Sequence, residues 1–141
     1  MAWLLDTNIL SEIRKPKPEP KVLAFIAGNP LEEFYISVVT VAELRFGIDR
    51  LNEDNVQRAD LTEWLTQTIR PMFSDRVLPV TEDIILRWRI LMEEGRKTGR
   101  PFSQPDLLIA ATAWQHSHTV VTRDRRNFDN ARVPVLNPWE L

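Results

Sequence analysis

The chain has 141 residues, 43% of them hydrophobic, which suits one compact domain able to bury about 70% of its unfolded surface without a metal or a disulfide. It has no cysteine, so disulfides, zinc–thiolate sites and thiol catalysis are excluded, and a reducing compartment such as the cytoplasm is the expected location. Eighteen Lys and Arg against twenty Asp and Glu give a formal charge of −2, so a polyanionic ligand has to be held by local basic patches or through a metal ion.

The first element is "WLL", Trp3 to Leu5, an apolar run of the kind that forms a buried strand and stops abruptly at Asp6. A Pro-rich loop, "RKPKPEPK", separates a first helix from a second that starts near Pro20, carries Val22, Phe25 and Ile26, and ends at Gly28 and Pro30. "FYISV", Phe34 to Val38, reads as the second strand, followed by a helix with Val41, Leu44, Ile48 and Leu51 on one stripe. Two amphipathic helices are expected next. The first runs from about Glu53 to Ile69 with Val56, Trp64 and Leu65 inward, the second from about Thr81 to Lys97 with Ile85, Trp88, Leu91 and Met92 inward. Between them "RVLPV" suits a short edge strand, because Pro79 cannot donate to a central ladder.

After "KTGRPFSQP", the segment "DLLIAATAW" is apolar nearly all round and predicts a buried helix, while "TVVT" and "VPVL" predict the last two strands. This alternation of strand and helix predicts an α/β fold: one domain over residues 1–141, with a parallel sheet of four to five strands sandwiched by helices. Functional residues are then expected at the carboxyl edge of that sheet. No apolar stretch reaches the roughly 18 residues that cross a bilayer, and no signal-peptide core precedes Asp6, so a soluble, unexported protein without a membrane partner is expected.

Four acids fall at that edge: Asp6 after the first strand, Glu43 in the first turn after the second, Asp106 opening the buried helix and Asp124 after "TVVT". Each also suits a helix cap, since carboxylates are favoured at helix N-termini, and Thr40 with Glu43 and Ser103 with Asp106 have capping-box spacing. Capping alone gives no reason for acids at successive elements around one cleft. Carboxylates crowded together repel one another unless a cation neutralises them, and an all-oxygen donor set favours Mg²⁺ or Mn²⁺ over Zn²⁺. Magnesium typically adds waters and a substrate phosphate, which points to a phosphate ester. Gly47, one turn past Glu43, suggests either close approach of another group or tight helix packing. His116 and His118 read as surface residues.

The segments "LLDTNILSEI", "ISVVTVAELRFGI", "DLLIAATA", "TVVTRDRRNF" and "VLNPWEL" together resemble the PIN-domain ribonucleases, and within them the VapC toxins of bacterial toxin–antitoxin pairs, FitB-like members included. The resemblance covers nearly the whole chain. It implies a PIN fold, with Asp6, Glu43, Asp106 and Asp124 as metal-binding and catalytic acids and Thr7 and Thr122 as supporting hydroxyls. The implied activity is Mg²⁺- or Mn²⁺-dependent hydrolysis of RNA, and the implied partners are a VapB-like antitoxin and a second copy of the chain. Two departures stand out. Many relatives of this subgroup have Asn where this chain has Asp124, and Asp129 follows Phe128 where relatives often place an acid before the Phe, so Asp129 is left out of the site. Basic residues cluster in sequence around the same edge, including Arg14, Arg45, Arg100 and Arg123, of which Arg14, Arg45 and Arg123 are the candidate RNA contacts. A receiver-like Mg²⁺-binding regulatory domain also gathers acids at strand ends, but it needs a Lys ending a later strand, and the lysines are 15, 17, 21 and 97. A phosphatase with a nucleophilic Asp usually wants an acid two residues beyond Asp6, where Asn8 stands.

Overall fold

The computed structural model describes residues 1–99, 103–129 and 131–141. Five short strands, β1 (Trp3–Leu5), β2 (Phe34–Ser37), β3 (Val77–Leu78), β4 (Thr119–Val121) and β5 (Val135–Leu136), form one all-parallel sheet in the order β3-β2-β1-β4-β5. The chain steps outward from β1 through β2 to β3, then returns to the other side of β1 for β4 and β5. The order therefore reverses between β1 and β4, and open α/β sheets bind their ligands beyond the carboxyl ends of the strands at such a reversal.

Alternate side chains of β1 enter opposite cores. Trp3 and Leu5 pack with Ile9, Leu10, Val22, Phe25, Leu65, Ile69 and Phe73, whereas Leu4 packs with Ile84, Leu91, Leu107, Ile109 and Ala110. The first face is covered by α1 (Thr7–Arg14), α2 (Pro20–Ala27), α3 (Val38–Asp49), α4 (Val56–Trp64), a π-helical turn over Leu65–Ile69 and the short α5 (Arg70–Met72). The second is covered by α6 (Glu82–Thr98) and α7 (Gln104–His116). Strands buried on both faces have to be apolar throughout, which is why "WLL" reads as a run rather than an alternation. Pro79 lies just past β3, an edge strand, as its missing N–H requires. Among the described residues no helix is long and apolar enough to cross a membrane.

Several sequence expectations need correction. Val38 starts α3 instead of ending β2, because the buried Ser37 hydroxyl accepts from the Val39 N–H at 3.0 Å and caps the helix there. Leu51 lies beyond the end of α3. Val56 and Ile85 face solvent, at 81% and 44% exposure, and the inward residue at the start of α6 is Ile84. Gly47 is exposed, and among the described residues a Cβ added there would meet nothing within 4 Å, so neither a close approach nor tight helix packing is seen at it.

His118 is not a surface residue: it is 7% exposed, its ring lies 4.7 Å from that of Tyr35, and its Nδ1 has no partner among the described residues. Ser117 takes the left-handed conformation that ends α7 and turns the next residue inward. Burial pushes the His118 imidazole down to about 4, with a smaller push from His116. Arg100, in the basic cluster expected before Asp106, lies outside the described residues.

Candidate active site

Asp6 follows β1 directly and is the N-cap of α1: one carboxylate oxygen, Oδ1, accepts the Thr7 N–H at 2.8 Å. Capping occupies only half of the group. Oδ2 accepts the Thr122 hydroxyl at 2.8 Å, joining the end of β1 to the end of its neighbour β4. The side chain is only 6% exposed, and burial raises its pKa above the ordinary value. The two hydroxyl and amide donors pull it back down, and the charges of Asp106 and Asp124 push it up again.

Glu43 is the sixth residue of α3, a turn beyond the position expected from the sequence. Ser37 caps that helix, and Thr40 is buried within it with its hydroxyl unpartnered among the described residues. The Thr40–Glu43 spacing is therefore not a capping box, and a capping role for Glu43 falls away. Asp106 does sit in the first turn of α7. The hydroxyl of the N-cap Ser103 donates to its carboxylate at 2.7 Å and makes no backbone capping bond, so the pair is a hydroxyl–carboxylate clamp and not a reciprocal box. Asp124, on the loop after β4, is exposed and precedes a 3₁₀ turn without capping it.

One cleft of about 490 Å³ is lined by Asp6, Thr7, Asn8, Ser11, Glu43, Ser103, Pro105, Asp106, Ile109 and Asp124. The four acids expected at the sheet edge thus share one cavity, with Thr7 on its wall and Thr122 buried behind Asp6. The basic candidates are divided. Arg123 adjoins the cleft, where its N–H donates to Asn8 at 3.3 Å and its guanidinium lies 5.2 Å from the Trp139 ring centroid. Arg14 lines no part of the cleft and stacks over Trp64 instead, and Arg45, two residues past Glu43, is turned about 200° around the helix from it.

Two polar residues escaped the sequence reading. Asn8 bridges α1 to the β4 loop, and the only sequence signal is an amide-bearing side chain in the first turn after a strand-end acid. Glu12 is 6% exposed and holds the Pro-rich loop by accepting from Lys15 Nζ at 2.8 Å and from the Glu19 N–H at 2.9 Å, contacts that lower its pKa. Nothing in the local pattern separates Glu12 from a solvated helix acid.

The donor set is oxygen only, which suits a hard cation. Among the described residues no three acid or imidazole groups stand close enough to enclose an ion by themselves. The cleft therefore fits a divalent ion held through one or two carboxylates and water, in the manner of Mg²⁺, and not an all-protein cage. Asp6 adds a physical reason for a cation: it is a buried carboxylate with two further carboxylates raising its pKa.

Residues 3–134 match the PIN domain family model. The chain is 41% identical over 136 residues to Toxin FitB of Neisseria gonorrhoeae, covering 96% of this chain and 97% of the relative. It is 37% identical over 137 residues to VapC ribonuclease Y4jK of Sinorhizobium fredii, covering 97% of each. The crystal structure of FitAcB from Neisseria gonorrhoeae superposes with a TM-score of 0.91 at 41% identity, covering 99% of both chains. Parallel strand order, the acids converging at the β1–β4 reversal and these matches along nearly the whole length place the chain in the PIN-domain family.

Proposed function

We propose that this protein is a metal-dependent endoribonuclease acting as the toxin of a toxin–antitoxin pair. The observation that carries the reading is the convergence of Asp6, Glu43, Asp106 and Asp124, from four separate stretches of sequence, on one cleft at the sheet reversal. The names of the relatives, a toxin and a VapC ribonuclease, support the biological role and the RNA substrate. A relative named as a toxin implies a cognate VapB-like antitoxin, and we extend the proposal to a homodimer working in the cytoplasm as a single domain over residues 1–141.

In this reading Asp6, Glu43 and Asp106 hold Mg²⁺ or Mn²⁺ directly or through water, and Asp124 holds a second ion or orients the attacking water. The ion, when bound, supplies Lewis acidity and a water of lowered pKa. The chain supplies position. The Thr7 backbone N–H and the Thr122 hydroxyl fix the two oxygens of Asp6, Ser103 fixes Asp106, and Arg123 at the rim meets a phosphate of the strand. Arg14 and Arg45 lie off the cleft wall and act, if the strand reaches them, on phosphates away from the scissile one. A receiver-like domain has no use for Glu43 in the same cavity.

The test is cleavage of RNA by the purified, partner-free protein in Mg²⁺ or Mn²⁺, with the ends mapped. Metal-activated water predicts a 5′-phosphate and a 3′-hydroxyl and no cleavage in EDTA. Equal cleavage in EDTA with 2′,3′-cyclic phosphate ends would refute the metal mechanism. Expression of the chain alone is expected to arrest bacterial growth, with relief by the product of an adjacent antitoxin gene.

A further inference from the structure

We infer that Asn8 is a positioning residue that presents Asp124 to the metal site, an inference that rests on the nuclease reading above. Asn8 Nδ2 lies 3.2 Å from Thr122 Oγ1 and 3.2 Å from Asp124 Oδ2, while Asn8 Oδ1 accepts the Arg123 N–H at 3.3 Å. An amide nitrogen carries two hydrogens, so one goes to each acceptor. Flipping the amide would set its oxygen against the Asp124 carboxylate and its NH₂ against the Arg123 N–H, both repulsive, so the network permits one orientation.

The Thr122 hydroxyl is equally constrained. It accepts from Asn8 and from the Asp124 N–H at 3.0 Å, which fills both acceptor positions and leaves its proton for Asp6 Oδ2 at 2.8 Å. Every bond direction from Asn8 to Asp6 is thereby fixed.

Asp124 needs such a hold. It sits on an exposed loop, caps nothing, and among the described residues the only side-chain donor to its carboxylate is Asn8. With Oδ2 engaged by the amide, the carboxylate has one oxygen left to offer the cleft that both residues line. A neutral amide also separates Asp124 from Asp6 without adding a charge to a crowded pocket.

The test is a double-mutant cycle of Asn8→Ala and Asp124→Asn in the full-length protein, read by Mn²⁺-induced melting shift, Mn²⁺ affinity by calorimetry, and kcat and KM for RNA cleavage. If Asn8 acts through Asp124, Asn8→Ala weakens Mn²⁺ binding and kcat by about tenfold to a hundredfold with KM little changed, and the double variant is no worse than Asp124→Asn alone. Multiplying losses, or an Asn8→Ala protein with parental Mn²⁺ affinity, would overturn the assignment. Asn8→Asp keeps the volume and the Arg123 contact but sets a carboxylate against Asp124 Oδ2, so it is expected to melt below the parent in EDTA and to be no more active than Asn8→Ala; full activity would count against the proposal, and the EDTA melting curve of Asn8→Ala controls for folding. The two readings fail separately. A parent that binds Mn²⁺ but cuts no RNA refutes the nuclease assignment while the Mn²⁺ cycle still decides the role of Asn8.

Discussion

Asp106→Asn distinguishes a metal ligand from an acid that serves only the N-terminus of α7. Asp106 is in the first turn of α7, accepts the Ser103 hydroxyl, and is the nearer in effect of the two acids that raise Asp6. In EDTA two effects oppose: loss of a favourable carboxylate–helix-dipole interaction costs about 0.3–1 kcal/mol, and relief of repulsion on Asp6 returns a similar amount. The variant should then melt within about 3 °C of the parent. In Mn²⁺ at about 100 times the parental Kd, the parent gains about 2.7 kcal/mol, which for a domain of this size is about 8–13 °C. A hundredfold loss of affinity leaves the variant only about 0.4 kcal/mol, or one to two degrees. Differential scanning fluorimetry in both buffers, with RNA cleavage alongside, reads the difference. Equal melting deficits in EDTA and Mn²⁺ together with full cleavage would refute the ligand reasoning and leave Asp106 only the Ser103 contact and its favourable charge at the N-terminus of α7.

Thr122→Val preserves shape but orphans Asp6 Oδ2, the Asp124 N–H and one hydrogen of Asn8; urea denaturation at pH 7 should show a loss of about 2–3 kcal/mol. The Asp6 pKa is raised in the folded state, so folding favours its protonated form more than the unfolded chain does: that contribution is present below the unfolded value of 3.8 and is lost as pH rises through the folded value. The Thr122→Val deficit should accordingly shrink as pH falls toward 4, and a deficit independent of pH would contradict this. For His118 the folded value is depressed from 6.5 to about 4, so the unfolded chain binds the extra proton and stability falls as pH drops between those values, by at most about 1.4 kcal/mol per pH unit. His118→Phe keeps a ring against Tyr35 and removes the unpartnered Nδ1; the fall in its denaturation midpoint over that window should be shallower than the parent's, and a slope matching the parent's would exclude His118 as the source.

The layered fold was legible because buried parallel strands and their covering helices leave apolar runs and stripes, and Pro79 marked an edge. Detail failed where a single polar contact or turn decides placement. Ser37 reads as a strand residue, yet its hydroxyl sets where α3 begins and so moves Glu43 out of the first turn. On the expected stripes Leu65 and Leu91 are buried, whereas Val56 and Ile85 at the starts of α4 and α6 face solvent and Ile84 takes the inward place, since periodicity fixes spacing more firmly than phase. His118 was misplaced because the inward turn depends on the left-handed backbone of Ser117. The four acids were recognisable from strand ends and from family resemblance, but the Asn8 bridge joins residues more than a hundred positions apart, and local spacing carries no trace of it.

The Thr122–Asp6 bond also has a temporal meaning. It spans 116 residues, so the first acid of the cleft is finished only by a side chain from the last part of the chain. A growing polypeptide has β1 and α1 long before it has β4, and until that strand docks beside β1 neither Thr122 nor Asp124 is at hand. Closing so long a loop is among the later events in assembling such a domain. A synthesis cut short before residue 122 leaves Asp6 without its hydroxyl partner and the cleft without its fourth acid, so on the nuclease reading proposed above such a fragment is expected to cut no RNA.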